Sequence, residues 1–286
     1  MDRTPVGFSS SGGDTRGGKD PVMSDMLTVN QFADLKSAGQ KICMLTAYDY
    51  TMASLLDAAG VDGILVGDTL GMVVQGHETT LPVTLDQVIY HAEMVGRAVK
   101  RALVVVDLPF ASYQVGVHQA IAAAARVLKE TRCQAVKLEG GIEQAKTIEA
   151  LVQTGIPVMA HVGLQPQSVR QMGGYRVQRD GEKLLKDARA AQVAGAFAVV
   201  VECIPAPLAR QLTEVLEIPT IGIGAGAGCD GQVLVINDLV GLTTGYVPRF
   251  VKPQADIKES IHRAVQKYCQ EVREGAFPGA DQSYDA

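Results

Sequence analysis

The sequence predicts an α/β barrel of eight strand–helix units, and three observations carry that prediction. Apolar runs recur along the chain without the polar alternation of a half-exposed sheet. Helix-patterned segments separate them. Polar residues interrupt the runs near their C-terminal ends, where barrels of this kind place their chemistry. Strands apolar on both faces belong to parallel sheets covered by helices, and steady alternation of the two elements gives an α/β architecture. An open doubly wound sheet is the competing arrangement. It is disfavoured because no G-x-G-x-x-G follows the first strand.

In chain order, TVNQFADLKSAG (28–39) has the pattern of a short amphipathic helix stopped by Gly39. Strand-like runs follow at 42–49, 63–68, 102–109, 135–140, 157–164, 198–203 and 219–226. Between them stand helical patterns such as TMASLLDAAG, TLDQVIYHAEMVGRAVK, VHQAIAAAARVLKE, IEQAKTIEALVQTG, GEKLLKDARAAQVAG and PAPLARQLTEVLE. The eighth unit is the weakest. Either GQVLVIND (231–238) is a short helix and RFVK (249–252) the closing strand, or 231–238 is itself the strand; the first reading is preferred here. IKESIHRAVQKYCQEVREG (257–275) is then the final helix. The expected organisation is a disordered N-terminal tail over 1–25, one barrel domain over 26–279, and a C-terminal tail over 280–286.

Composition narrows the class of function. A hydrophobic content of 47% supplies a sizeable core, and a net charge of −5 without a basic cluster argues against nucleic acid as partner. The five cysteines are odd in number, scattered and free of C-x-x-C spacing, so neither a disulfide framework nor a zinc site is expected. A reducing cytosol suits them. No run reaches the roughly 18 apolar residues of a membrane span, and the first residues lack the apolar core of a signal peptide.

The segment AVKLEGG (135–141) poses the chemical question. Lys137 and Glu139 lie two residues apart in a strand pattern, so they share one face, and buried charge is costly unless paired or bound. Asp49, Asp68, Asp107, Glu139, His161 and Glu202 all fall at or near strand ends. Asp68, Asp107 and Glu139 are hard oxygen ligands without accompanying Cys or His clusters, a set that suits Mg²⁺. Each alone could instead cap a helix or pair with a cation. Lys137 either pairs with Glu139 or another carboxylate, or clamps a substrate anion. Glu202, set in the apolar run 198–203, is a candidate general base. His161 could serve the substrate or satisfy a core hydrogen bond. Among the loops, 69–82 carries an exposed-looking His77, 165–180 has the length of a lid, and GIGAGAGCDGQ (222–232) looks like a phosphate cradle without the Lys-Ser/Thr of a P-loop.

TAYDY, VGDTLGMVVQGHETTLPVT, DLPF, VKLEGG, GLQPQSV with GGYRVQ, ECIP and GIGAGAGCDGQ together resemble the successive signature blocks of the ketopantoate hydroxymethyltransferases, over residues 26–279. The resemblance implies a TIM barrel of the phosphoenolpyruvate mutase/isocitrate lyase type. It implies transfer of a one-carbon unit from 5,10-methylenetetrahydrofolate to 3-methyl-2-oxobutanoate, giving 2-dehydropantoate on the route to pantothenate and coenzyme A. It places Mg²⁺ on Asp68, Asp107 and Glu139, keto-acid contacts on Asp68, Thr69, Asp107 and Lys137, and the proton acceptor on Glu202. A cytoplasmic homo-oligomer, often a decamer, is also implied. The chain departs from the family pattern in having Thr69 where Ser is usual, and in moving from GGYRVQ straight to RDGEK without a longer Gly-rich run. Lyases and mutases of the same superfamily are the rival enzymes. A reactive loop Cys or a mutase-type acid motif would point to them, and the sequence has neither. A metal-stabilised binding scaffold would leave Glu202 without a task.

Overall fold

A computed structural model describes residues 26–284. The expected N-terminal tail, 1–25, and the last two residues of the expected C-terminal tail lie outside the described residues. Eight parallel strands close into one barrel in sequence order: β1 Ile42–Thr46, β2 Gly63–Val66, β3 Leu103–Asp107, β4 Ala135–Glu139, β5 Val158–Gly163, β6 Ala198–Glu202, β7 Thr220–Ile223 and β8 Gly231–Leu234. The helices are α1 Val29–Ser37, α2 Tyr50–Ala59, α3 Leu70–Val73, α4 Leu85–Ala98, α5 Val117–Glu130, α6 Ala145–Gln153, α7 Gly181–Val193, α8 Ala206–Val215, α9 Ile236–Leu239 and α10 Ile257–Glu274.

Strand alternation divides the core in two. Residues such as Ile64, Val66, Val104, Val106, Val136 and Leu138 point outward and meet the helices. Met44, Leu65, Leu103, Val105, Met159, Val200, Ile221 and Val233 point inward and fill the barrel, as the period of two requires. Phe32 of α1 is fully buried against this inner cluster and meets the Phe197 ring edge-on at 5.9 Å. The N-terminal end is thereby plugged, and the open end is the one where the strands finish.

Helix starts follow local chemistry. Thr28 and Thr84 make capping boxes with Gln31 and Gln87, and Asp180 accepts from the Lys183 amide at the start of α7. Each cap satisfies amides that have no partner within the helix.

The eighth strand corrects the sequence reading. Residues 231–234 form β8, only 236–239 are helical, and 249–252 is irregular. β8 pairs with β7 on one side and with β1 on the other, with Ile42 opposite Gly231. A Cβ on Gly231 would stand 2.5 Å from the Ile42 carbonyl oxygen, so this glycine permits the closure. The segment was misread because residues 224–230 link two parallel strands without a helix, whereas such crossovers ordinarily take a dozen or more residues.

Candidate active site

Neighbouring strands deliver the polar groups in register: Asp107 opposite Lys137, Glu139 opposite His161, and Gly163 opposite Glu202. Asp68 and Thr69 follow β2 and lead into α3. All line one cavity at the C-terminal mouth, with a volume of about 50 Å³. Asp68, Asp107, Lys137, Glu139 and His161 are each buried. Glu202 reaches into the opening, with 16% of its side-chain surface exposed.

The electrostatics are unbalanced. Lys137 Nζ lies 2.5 Å from Asp107 Oδ1, which settles its partner as Asp107 rather than Glu139. Burial pulls the lysine pKa down, but Asp107, Glu139 and Asp68 outweigh it and raise the value. Asp68 is pushed up to about 7 by burial and by the Asp107 charge, with Lys137 opposing. Burial, then Asp68, likewise lifts Glu139 well above the carboxylate range. Burial and Lys137 lower the pKa of His161, favouring the neutral ring. Its Nε2 is 3.2 Å from Glu202 Oε2, yet neither ring nitrogen makes a well-directed hydrogen bond.

Two features were not found by sequence reasoning. Gln167, in the short turn Pro166–Ser168 after β5, ties the mouth together. Its Nε2 donates to Asp68 Oδ2 at 2.9 Å, its backbone N–H donates to Glu139 Oε2 at 3.0 Å, and its Oε1 accepts from Tyr113 Oη at 2.9 Å. Tyr48 Oη shares a hydrogen bond with Thr69 Oγ1 at 2.7 Å, which fixes the hydroxyl beside Asp68. The available signal was position alone: both residues stand in blocks on which the family resemblance rested, in loops that leave strand ends.

Other expectations land elsewhere. Asp49 is the N-cap of α2, accepting from the Met52 amide at 2.8 Å, and takes no place among the acids of the mouth. His77 is exposed. The glycines of 222–226 serve close packing within the chain, since Cβ atoms on Gly224 and Gly226 would meet the Phe250 ring and Ala206 at 2.8 and 2.5 Å. A larger depression of about 340 Å³ lies beside the start of α7, lined by Ile142, Asp180, Glu182, Lys183 and Lys186. Lys183, Lys186 and Glu182 are solvated side chains there, so the mouth, with its buried charges, is the stronger candidate.

Among the described residues, no three Asp, Glu, His or Cys side chains are grouped so as to hold a metal ion by themselves. Mg²⁺ rarely relies on such a group: it takes one or two carboxylates and fills its octahedron with water and substrate oxygens. Buried carboxylates that raise one another's pKa, with Lys137 as their cation, fit an ion of that kind.

Polar groups gathered at the strand ends of a closed parallel (β/α)8 barrel are the arrangement of a barrel enzyme. Phosphonopyruvate hydrolase, crystallised with oxalate and Mg²⁺, matches with a TM-score of 0.59 at 12% identity, over 91% of this chain and 92% of that one. 2,3-Dimethylmalate lyase, a member of the PEP mutase/isocitrate lyase superfamily, matches with a TM-score of 0.57 at 19% identity, over 91% and 93%. These likenesses carry the fold alone. Within the class, the chain belongs to the ketopantoate hydroxymethyltransferase family, whose model matches residues 26–280. The 3-methyl-2-oxobutanoate hydroxymethyltransferase of Rhodopirellula baltica is 55% identical over 259 residues, covering 91% of this chain and 96% of the relative. Those of Syntrophus aciditrophicus and Enterococcus faecalis are 52% and 51% identical, each covering 90% of this chain and 96% and 95% of the relatives.

Proposed function

We propose that the chain transfers a hydroxymethyl group from 5,10-methylenetetrahydrofolate to 3-methyl-2-oxobutanoate, forming 2-dehydropantoate for pantothenate and coenzyme A synthesis. Family membership supports the reaction. The observation that carries the mechanism is a mostly buried but accessible carboxylate, Glu202, facing a mouth of buried acids and one lysine.

Asp68, Asp107 and Glu139 would hold Mg²⁺, which, when bound, supplies Lewis-acid polarisation of the 2-oxo acid. Thr69, fixed by Tyr48, and Lys137 contact the substrate carboxylate and ketone oxygens. Lys137 offsets negative charge there as the C3–H bond breaks. Glu202 takes the C3 proton as general base, with the neutral His161 ring 3.2 Å from its carboxylate. The C3 electron pair then bonds to the folate-derived methylene carbon, and water supplies the hydroxyl oxygen as tetrahydrofolate leaves.

A cytoplasmic homo-oligomer, a decamer by the family pattern, completes the reading. Among the described residues, no helix is long and apolar enough to cross a membrane.

The test is C3 proton exchange of 3-methyl-2-oxobutanoate in D₂O with Mg²⁺, followed by NMR. Wild type exchanges, whereas Glu202→Gln loses exchange by about 100-fold or more while keto-acid binding persists. Normal exchange by the variant would remove Glu202 as the base. The rival lyase or mutase reading has no observation in its favour.

A further inference from the structure

The cavity of the mouth is too small for the second reactant. About 50 Å³ is room for a few waters at about 10–15 Å³ each, so it takes no more than a small acid. The one-carbon donor must still bring its methylene carbon to C3, beside Glu202. Its ring system and its anionic tail therefore stay outside, on the rim around that carboxylate.

Two segments build this part of the rim, 165–180 after β5 and 240–256 after α9. Both reach Cys203, the residue directly after Glu202. The Gln178 amide donates to the Cys203 carbonyl at 2.9 Å. The Phe250 ring and Cys203 Sγ both crowd Gly224, at 2.8 and 3.2 Å from where its Cβ would stand. Each segment carries an aromatic side chain that the fold leaves exposed, Tyr175 at 53% and Phe250 at 41%. Tyr175 stands at the mouth itself. Its Oη lies 3.9 Å from Met72 Sδ of α3, and burial, then the charges of Glu202, Asp68 and Glu139, raise its pKa.

Charge sorts the same way. Residues 165–179 contain Arg170, Arg176 and Arg179 and no acid, and 240–255 contain Arg249 and Lys252 and no acid. All five cations are exposed. Both segments are thus basic stretches of a chain whose net charge is −5. Flat heterocycles stack on exposed aromatic faces, and arginine pairs with carboxylates through two parallel hydrogen bonds. A reduced folate has both features, a pterin with a flat pyrimidine ring and a glutamate tail. We propose that Tyr175 and Phe250 form the docking rim for the pterin of 5,10-methylenetetrahydrofolate, with Arg176 and Arg179 receiving its glutamate carboxylates. This rests on the functional reading above and deepens it by assigning a site to the second substrate.

The experiment titrates tetrahydrofolate into the full chain with Mg²⁺ by calorimetry, and follows donor-free C3 exchange of 3-methyl-2-oxobutanoate alongside. Tyr175→Ala is expected to weaken tetrahydrofolate binding about 10-fold, the scale of one stacked ring, while C3 exchange persists. Tyr175→Phe keeps the stacking face and with it the wild-type affinity. Arg176→Ala with Arg179→Ala weakens binding about 10-fold through the lost carboxylate contacts. Phe250→Ala acts as Tyr175→Ala does, and decides the ring site should the tyrosine variant fail to fold by circular dichroism. Unchanged tetrahydrofolate affinity in the folded alanine variants, or equal losses in Tyr175→Phe and Tyr175→Ala, overturns the docking rim and leaves the functional reading standing. A wild type that binds no tetrahydrofolate overturns both.

Discussion

A glutamine amide carries no charge, so what Gln167 contributes between Asp68 and Glu139 is direction. Its side chain and its backbone each fix one carboxylate oxygen, while Tyr113 Oη and Gln114 Nε2 hold its own carbonyl at 2.9 Å. Groups of this kind orient metal ligands, and their loss typically costs about 10–100-fold in metal affinity. Gln167→Ala is accordingly expected to weaken divalent binding by that factor, read directly by calorimetric titration of Mg²⁺ into the protein without substrate. An affinity equal to wild type would reduce Gln167 to a packing role. At this scale the sequence was informative wherever charge interrupted an apolar run. Asp107, Lys137, Glu139, His161 and Glu202 were legible because a strand's period fixes their face. Asp49 looked equivalent, but an aspartate just after a strand serves equally well as the cap of the next helix, and here it does. Gln167 and Tyr48 were illegible because polar, uncharged loop residues leave no such conflict to notice.

Elements differ in how far local rules specify them. Helices α5 and α7 begin where their sequence patterns begin, because amphipathic spacing acts within a few turns, joined at α7 by the Asp180 cap. β8 was missed because it exists through its partners, Ile42 to Leu45 of β1 on one side and β7 on the other. Another partner-dependent position is Gly163, at the end of β5, with φ at +98°. A Cβ there would meet the Glu202 carbonyl oxygen at 2.3 Å, the same oxygen that accepts from the Leu164 amide at 2.9 Å. Gly155 also has positive φ, +84°, but with open space around it. Gly155→Ala therefore pays only backbone strain of about 1–2 kcal/mol. Gly163→Ala adds a clash with β6 and is expected to destabilise by about 3 kcal/mol or more. It should also slow C3 exchange, since β6 carries Glu202. Urea unfolding of the two variants separates these costs. Equal losses would mean that β5 and β6 yield without cost at this point.

Among the described residues, helix α10 carries an apolar stripe that no other element buries. In α10, Ile257, Ile261, Val265, Tyr268 and Val272 recur at spacings of three and four and share one face. All are between 38% and 53% exposed, and no residue of the helix is buried. An 18-residue helix with an apolar stripe draws most of its stability from packing that stripe against something, and a contiguous exposed patch of this kind marks an association surface. Residues 240–256 loop back so that the Gln254 and Ile257 amides donate to the Leu239 and Val240 carbonyls, and α10 starts there with none of its residues buried. For a homo-oligomer, the simplest occupant of that stripe is a second copy of the chain. Val265→Asp with Tyr268→Asp places two charges on the stripe and touches no residue of the mouth. Sedimentation of wild type should give a multiple of the 30.3 kDa chain mass, and the double variant a smaller species at the same concentration. The barrel itself should survive, because its two cores contain nothing from α10. Far-ultraviolet circular dichroism would then retain the strand and inner-helix signal, losing at most the part due to α10. If the variant sediments as wild type does, the subunits meet through another face, and the exposed stripe would need a different partner.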